Sequence, residues 1–416
     1  MNTKSEVITF GCRLNTYESE VIKKQTKAAK LNNSIIFNTC AVTLEAERQA
    51  RQAIRRAKKN KPDAEIIVTG CAAQINPRKW ASMPEVTRVI GNIEKLELSS
   101  FKNNYQHPII SVNDIMAVKE QAGHLVAGFD GRTRAYVEVQ QGCDHRCSFC
   151  IIPFGRGNSR SVPFGEIVSQ VQSLVEVGYK ELILTGVDLT SYGSDLPGKP
   201  KLGQVIRRLL KLVPDLPRLR LSSLDPSEID HDLETLIVEE SRLMPHMHLS
   251  IQAGDDLILK RMKRRHLSSD VIYLTSRIRK LRPEIVFGAD LIAGFPTETE
   301  DMFLNTKNLI EKAGLTWLHI FPYSPRPNTP AQKMPQVPLS VRKKRAAILR
   351  KQGDIAVKNL LEKYVGEKVS VLVEKESIGF SESFAKVKLD SFCEEGSLVN
   401  ALITHTDGSI LYGSEM

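Results

Sequence analysis

A chain of 416 residues is too long for one ordinary compact core and implies two or three domains. With 41% hydrophobic and 25% charged residues and no low-complexity tract, general disorder is excluded, and no apolar run reaches membrane-spanning length. An excess of 58 Lys and Arg over 48 Asp and Glu, net +10, admits a polyanionic partner without establishing one. The opening MNTKSEVITFGC enters a strand pattern with no signal-type apolar core, which points to the cytosol. Thiols stay reduced there, so clustered cysteines read as metal ligands or catalytic groups rather than disulfide partners.

In chain order, three early segments end alike: EVITFGC (6–12), SIIFNTC (34–40) and EIIVTGC (65–71) each run a β-branched strand into a cysteine. Their spacing of 28 and then 31 residues is about one βα unit per step, which predicts an open parallel α/β domain. Ala46, Ala50, Ala53, Ile54 and Ala57 share a helical face, with Glu45 and Glu47 at its start and Arg55, Arg56, Lys58 and Lys59 at its end, as the helix dipole favours. Ligands of open α/β sheets collect beyond the carboxyl ends of the strands, so Cys12, Cys40 and Cys71 are expected along one edge.

From about residue 133 the period continues through YVEVQQ, LILTGV, LRLSSL, MHLSIQ, FGADLIA and LHIFPY, separated by helix-like stretches. Six such strands predict a curved parallel sheet or partial barrel, with its site built from the segments after each strand. A Pro-rich stretch (322–331) and a basic helical segment (339–364) follow. KVSVLVE, SFAKVKL, SLVNALI and SILYG then alternate as strands of a small closed β-barrel, a form often used to bind nucleic acid. Basic runs at 51–61, 260–265 and 342–345 each read as a solvated helix face. Together they raise nucleic acid as a partner, and Arg342, Lys343, Lys344 and Arg345 lead as phosphate contacts.

The segment QQGCDHRCSFCIIPFGRG (140–157) packs Cys143, Cys147 and Cys150 into eight positions. Three thiols so close must converge on one object. Zinc would need a fourth ligand, for which His145 or Asp144 could serve; an iron–sulfur cluster on three thiolates leaves one iron open. No second CxxC or CxxH pair follows within about 20 residues, which favours iron–sulfur over zinc. Cys393, Trp80 and Trp317 read as core or surface residues, His145 as a bystander, and the nine histidines show no HxxxH spacing.

CxxxCxxC directly after the first strand of a six-strand βα array, with Phe149 between its last two cysteines, resembles the radical S-adenosylmethionine (SAM) superfamily. The resemblance implies an open iron chelated by SAM, whose reductive cleavage releases a 5′-deoxyadenosyl radical. GCRLNTYES, NTCAVT and TGCAAQ are similar to the methylthiotransferases, which hold a second four-iron four-sulfur (4Fe-4S) cluster on that cysteine trio. The similarity extends through IAGFPTETE and PYSPRPNTPA to a C-terminal barrel like the TRAM RNA-binding domain. It implies an auxiliary-cluster domain over 1–115, a radical SAM core over 129–358 and a TRAM-like barrel over 360–416.

Within the family, CAVTLEAERQARQAIRR, LTGVDLTSYG and RLSSLDPSEI look most like the branch acting on N6-threonylcarbamoyladenosine beside the tRNA anticodon. The competing branches act on isopentenyladenosine in tRNA or on an aspartate of a ribosomal protein; a non-enzymatic alternative is an RNA-binding protein with structural metals. The favoured resemblance implies two 4Fe-4S clusters, SAM as radical source and methyl donor, a tRNA anticodon stem-loop as substrate, an external electron donor and an external sulfur source. Gly186, Asp188, Ser223, Gln252, Gly294 and Pro296, with Phe149, are the expected SAM contacts, although each also fits ordinary turn or cap chemistry. Thr297 stands where the family's turn has glycine, Asp144 where it has asparagine, and QAGDD (252–256) where it has QSGSD.

Overall fold

The computed structural model describes residues 4–102, 107–121, 123–124, 126, 128–129 and 131–416; residues 1–3 and 103–106 of the expected N-terminal domain lie outside them. Strands β1 (Glu6–Thr9), β2 (Ser34–Thr39), β3 (Glu65–Gly70), β4 (Arg88–Ile90) and β5 (Ile110–Ser111) form one parallel sheet in sequential order. Helices α1 (Arg13–Ala28), α2 (Leu44–Asn60), α3 (Cys71–Ile75) and α4 (Pro77–Ala81) connect them. All of β2 is buried, Ser34, Asn38 and Thr39 as well as Ile35, Ile36 and Phe37, as in a parallel strand covered on both faces. Thr43 caps α2 by accepting from Ala46 N at 3.1 Å, and Ala50 and Ile54 are buried on its expected face. β4 and β5 have three and two residues, too short for a β pattern to register in sequence.

Next come β6 (Arg134–Glu138), a short antiparallel pair β7 (Gln140–Gln141) and β8 (Arg160–Ser161), then β9 (Glu181–Thr185), β10 (Arg218–Leu221), β11 (His246–Gln252), β12 (Val286–Ala293) and β13 (Leu315–Pro322). The intervening helices are α5 (Ile152–Arg156), α6 (Phe164–Glu176), α7 (Leu202–Leu212), α8 (His231–Glu239), α9 (Asp256–Met262), α10 (Ser268–Leu281) and α11 (Glu300–Lys312). The six parallel strands fall into two halves, β10-β9-β6 and β11-β12-β13, rather than one continuous ladder. Across the seam, Leu224 N donates to His248 O at 2.8 Å and Ser250 N to Leu224 O at 2.9 Å. Val137, Leu184, Leu221, Leu249 and Leu291 pack into the main core with the helices. The period of two turns Arg134, Tyr136, Glu138, Arg220, His248 and Asp290 to the opposite, inner face.

Helix α12 (Leu339–Lys363) leads into β14 (Lys368–Lys375), β15 (Ile378–Phe380), β16 (Lys386–Leu389), β17 (Leu398–Thr406) and β18 (Leu411–Glu415), a closed barrel in the order β14-β15-β16-β18-β17. Four strands were legible in the sequence; the fifth, β15, is only Ile-Gly-Phe. Residues 358–360, the expected domain boundary, lie inside α12, and Leu361 joins the barrel core. The barrel docks against the inner face of β6 and β10. Arg134 pairs with Glu374 at 2.6 Å, Arg220 donates to Ser381 O and Glu382 O at 2.8 Å, and Phe384 stacks on His246 with centroids 5.2 Å apart. Among the described residues no helix is long and apolar enough to cross a membrane.

Candidate active site

Cys12, Cys40 and Cys71 stand at the carboxyl ends of β1, β2 and β3, as expected: Cys12 precedes α1, Cys40 follows β2, and Cys71 opens α3. Gly11, at φ 100°, brings the backbone so near that a Cβ there would lie 2.7 Å from Cys40 Cβ and 2.9 Å from its Sγ. At Gly155, a Cβ would come within 3.2 Å of Cys71 Cβ. Small residues therefore cradle this trio. Asn15 ties the edges by donating to Phe10 O at 2.6 Å and Thr39 O at 3.1 Å, while Asn92 donates to Gly155 O at 2.6 Å and lies 3.9 Å from Cys71 Sγ.

The second trio sits on the loop between β7 and β8. Gly142, at φ 69°, opens it where any Cβ would collide with Asn158 O, and Cys143 N donates to Gly157 O at 3.1 Å. Ser148 pins the middle, its Oγ donating to Arg261 O at 2.7 Å. Arg264 Nη1 lies 3.7 Å from Cys147 Sγ, and Asp188 Oδ2 lies 3.7 Å from Cys143 Sγ. Burial pushes the Cys40 and Cys150 thiols up to about 12, and burial with the Asp188 charge pushes Cys143 up further. Metal-free, these thiols are neutral at pH 7, and a metal must displace their protons to bind.

A tetrahedral zinc would hold its thiolates within about 4 Å of one another. Among the described residues, the groups whose three ligand atoms all lie within 4.8 Å are His248–Asp290–His319 and His145–Asp188–Glu228, and neither includes a cysteine. The wider spread of both trios fits a cluster of several irons, which takes one thiolate on each of three irons.

A second side chain, besides Asn92, ties the loop of Cys143, Cys147 and Cys150 to the edge that carries the first trio. Arg156 ends α5, six residues past Cys150, and is 3% exposed. It donates to Glu18 (2.9 and 3.0 Å), Asn15 (2.6 Å) and Gln141 (2.8 Å), and its charge also acts on Cys71 and Cys12. Lys95 reaches the same Glu18 at 2.7 Å. Burial alone would raise the Glu18 carboxyl, but Arg156 and Lys95 hold it well below the usual range. The tertiary contacts of Arg156, Glu18, Asn92 and Lys95 have no motif spacing in the sequence; the glycine and asparagine flanks of the cysteines were the available signal.

His145 is more than the expected bystander. Its Nε2 lies 2.9 Å from Asp188 Oδ2 and 3.4 Å from Glu228 Oε1, and those two hydrogen bonds, against burial, raise it to about 10. The resulting imidazolium clamps the cysteine loop to the ends of β9 and β10. Asp144 Oδ1 accepts from Ser159 N at 2.9 Å and closes the same loop.

The remaining expected contacts lie on the same rim, after the strands. Phe149 meets Phe295 edge-on with centroids 6.5 Å apart. Gly186 N donates to Ser222 Oγ at 3.3 Å and Asp188 N to Gln140 Oε1 at 2.8 Å. Ser223 and Gln252 are half-buried at the ends of β10 and β11, and Gln252 is held at φ 76°. Gly294 N donates to Glu298 Oε1 at 3.0 Å, ahead of Pro296 and of Thr297 at φ 68°. Cys393 and Trp80 are buried in cores, and Trp317 packs on the terminal barrel.

Two of the four leading phosphate contacts are corrected. Arg342 is buried and donates to Val337 O and Tyr323 O, and Arg345 is buried against Glu298 and Glu300, because α12 lies on the main core. Lys343 and Lys344 are exposed. Histidines without metal-pair spacing also meet in space: Asp290 Oδ1 lies 3.1 Å from His248 Nε2 and 3.2 Å from His319 Nδ1, across three neighbouring strands.

The radical SAM superfamily model matches residues 137–310, and the model of uncharacterized protein family UPF0004 matches residues 4–91. A threonylcarbamoyladenosine tRNA methylthiotransferase MtaB of Rickettsia prowazekii (strain Madrid E) is 56% identical over 400 residues, covering 96% of this chain and 94% of that protein. This chain belongs to the radical SAM methylthiotransferase family. A more distant family member, a tRNA-2-methylthio-N(6)-dimethylallyladenosine synthase of Staphylococcus epidermidis, is 30% identical to this methylthiotransferase over 94% of this chain and 78% of its own. Among solved structures, the radical S-adenosylmethionine methyltransferase TsrM from Kitasatospora setae matches with a TM-score of 0.57 at 13% identity, covering 79% of this chain and 75% of that one; it shares the fold.

Proposed function

We propose that this methylthiotransferase adds a methylthio group to C2 of N6-threonylcarbamoyladenosine at position 37 of tRNA, in the cytoplasm. The observation that carries the reading is a pair of cysteine trios, one at the ends of three strands and one on a single loop, each lacking a fourth thiol and linked through the buried guanidinium of Arg156. The high identity to a relative named for that substrate, against 30% to one named for dimethylallyladenosine, supports the branch.

In this reading Cys143, Cys147 and Cys150 hold one 4Fe-4S cluster and Cys12, Cys40 and Cys71 the other, over domains near 1–115, 129–358 and 360–416. When bound, the clusters and SAM supply the radical that takes the C2 hydrogen and the methylated sulfur that replaces it. A side-chain base could not do this, because the adenine C2–H is not acidic enough for any group tuned near neutral pH. The chain's own residues position the parts. Arg264 directs an N–H at the Cys147 sulfur, and the His145 imidazolium holds the cysteine loop against Asp188 and Glu228. Phe149, Phe295 and Tyr323 form an apolar wall beside that loop. Exposed Lys343 and Lys344, with the terminal barrel, grip RNA phosphates, which positions the RNA without reading its sequence. Electrons and replacement sulfur come from partners outside this chain.

The test is nucleoside mass spectrometry of tRNA from a deletion strain. The 2-methylthio-threonylcarbamoyl nucleoside should vanish and its unmodified precursor accumulate; an unchanged level refutes the reading. The reconstituted enzyme should carry about eight irons, and Cys147→Ala about four.

A further inference from the structure

Two histidines and an aspartate on the inner face of the six-stranded array take no part in either cysteine trio. His248 on β11, Asp290 on β12 and His319 on β13 come from three adjacent parallel strands. Asp290 and His319 are direct register partners, while His248 stands opposite Gly288, two residues before Asp290 and on the same face. Neighbouring strands lie about 4.8 Å apart, so three same-face side chains at this stagger point at one spot. Gly288 makes room for the imidazole: a Cβ there would lie 2.6 Å from His248 Nδ1.

The donor atoms converge tightly. His248 Nε2 lies 3.1 Å and His319 Nδ1 3.2 Å from the same Asp290 Oδ1, and one ligand atom from each residue lies within 4.8 Å of the others. The two rings sit with centroids 4.5 Å apart, tilted by 36°. Nitrogen and oxygen donors held about 2.0–2.1 Å from a tetrahedral zinc stand about 3.3 Å apart, so both measured edges match that polyhedron.

A carboxylate gripped by two imidazole N–H groups is the other arrangement with these distances, and His248 does not fit it. His319 makes its hydrogen bond to Asp290, but His248 Nε2 has no hydrogen-bond partner among the described residues, on a side chain only 8% exposed. A buried nitrogen aimed at a carboxylate without bonding to it is costly. A cation between them satisfies both. Arg134 and Arg220 on the same inner face do not oppose it, since Glu374 and Glu181 pair with them.

We propose that His248, Asp290 and His319 form a mononuclear site for a divalent cation of the zinc class, separate from both cysteine trios. Two imidazoles and one carboxylate suit zinc or ferrous iron rather than calcium or magnesium, which take oxygen ligands. Three protein donors leave a position open, as in catalytic zinc sites. The His319 side chain is 60% exposed, so water or a carboxylate reaches the ion from its side. The site stands whichever base the enzyme modifies.

The test adds zinc to the full-length enzyme after its clusters have been reconstituted, so that both cysteine trios are occupied, and removes loosely held metal by gel filtration. Metal analysis should find about one zinc per chain beside the iron, and zinc-edge X-ray absorption should show nitrogen and oxygen at about 2.0–2.1 Å, imidazole back-scattering and no sulfur at about 2.3 Å. Asp290→Asn and His319→Ala should each weaken zinc binding by at least about 10-fold, the loss that even disturbing a ligand's outer support brings. Iron content and urea midpoint, read on the same samples, show that each variant is folded and loaded. His319 is exposed, so its variant keeps the test decisive if Asp290→Asn does not fold. No zinc retained by wild type, a zinc shell containing sulfur, or undiminished binding in His319→Ala overturns the proposal. Because iron is measured separately, any of these leaves the proposed function intact.

Discussion

Arg156 and Glu18 form a two-armed ion pair in the protein interior, Nη1–Oε1 at 2.9 Å and Nη2–Oε2 at 3.0 Å, across 138 residues of chain. One partner follows the CxxxCxxC loop and the other follows Cys12, so this pair, with the Asn92 bond to Gly155 O, helps set the spacing between the two cysteine sets. Arg156→Met should cost about 3–5 kcal/mol, because it leaves Glu18 buried with Lys95 as its remaining ion-pair partner. Urea unfolding measures this. Arg156→Lys, which keeps the charge but not the fork, should fall between. A wild-type midpoint for Arg156→Met would show that the pair does not hold the domains together.

Glu138 should make stability fall toward alkaline pH. Burial first, then the charge of Glu18, raise its carboxyl from 4.5 to about 8. With the folded value above the unfolded one, its contribution is fully present below pH 4.5 and is lost as pH rises through about 8. Gln121 and Gln141 donate to its two oxygens at 2.8 and 3.0 Å; a neutral amide keeps the Gln141 contact through its carbonyl oxygen and needs Gln121 to turn its own amide to keep the other. Glu138→Gln should therefore be more stable than wild type at pH 9 and show a flatter profile of urea midpoint between pH 5 and 9. Parallel profiles would exclude the assignment.

Thr297 is β-branched at φ 68°, a left-handed conformation that glycine adopts freely. Thr297→Gly should relieve strain of about 1–2 kcal/mol. Arg261 Nη1 loses its 2.7 Å bond to the threonine hydroxyl, which offsets about 1 kcal/mol of that gain. The expected result is a small rise in urea midpoint at constant slope. A clear fall would mean that the Arg261 contact, not the backbone, dominates this turn.

Lys343 and Lys344 should separate binding from folding within one basic run. Charge reversal at both should weaken tRNA binding at moderate salt and make the log–log salt dependence shallower by about 1 to 2. Arg345→Ala should instead lower stability, since it strips the partner from buried Glu298. Filter binding over a salt series and urea unfolding, run on both variants, check the split; equal salt slopes for wild type and the double lysine variant would remove these lysines from the interface.

Much of the fold was legible because its signals are local. Three strand-to-cysteine segments at 28- and 31-residue spacing predicted both the parallel sheet and the edge on which Cys12, Cys40 and Cys71 stand. The eight-residue span of Cys143, Cys147 and Cys150 required one shared ligand whatever the chain did elsewhere. The basic run at 342–345 misled because charge counts carry no direction, and α12 turns Arg342 and Arg345 inward while Lys343 and Lys344 face solvent. His145 was read as idle because its partners lie 43 and 83 positions away, on the ends of other strands.

By itself, then, the sequence determined which cysteines fall on one strand edge and which on one loop, the α/β class of the chain before the barrel, and the small barrel at the end. These follow from the periods of helices and strands and from covalent spacing, which act over tens of residues at most. Tertiary structure decided the rest: that Arg156 binds Glu18, that His145 meets Asp188 and Glu228, and that His248, Asp290 and His319 meet. Such pairings arise when burial strips water from charged groups and packing leaves each with whatever partner the fold brings near. No periodicity along the chain records that outcome.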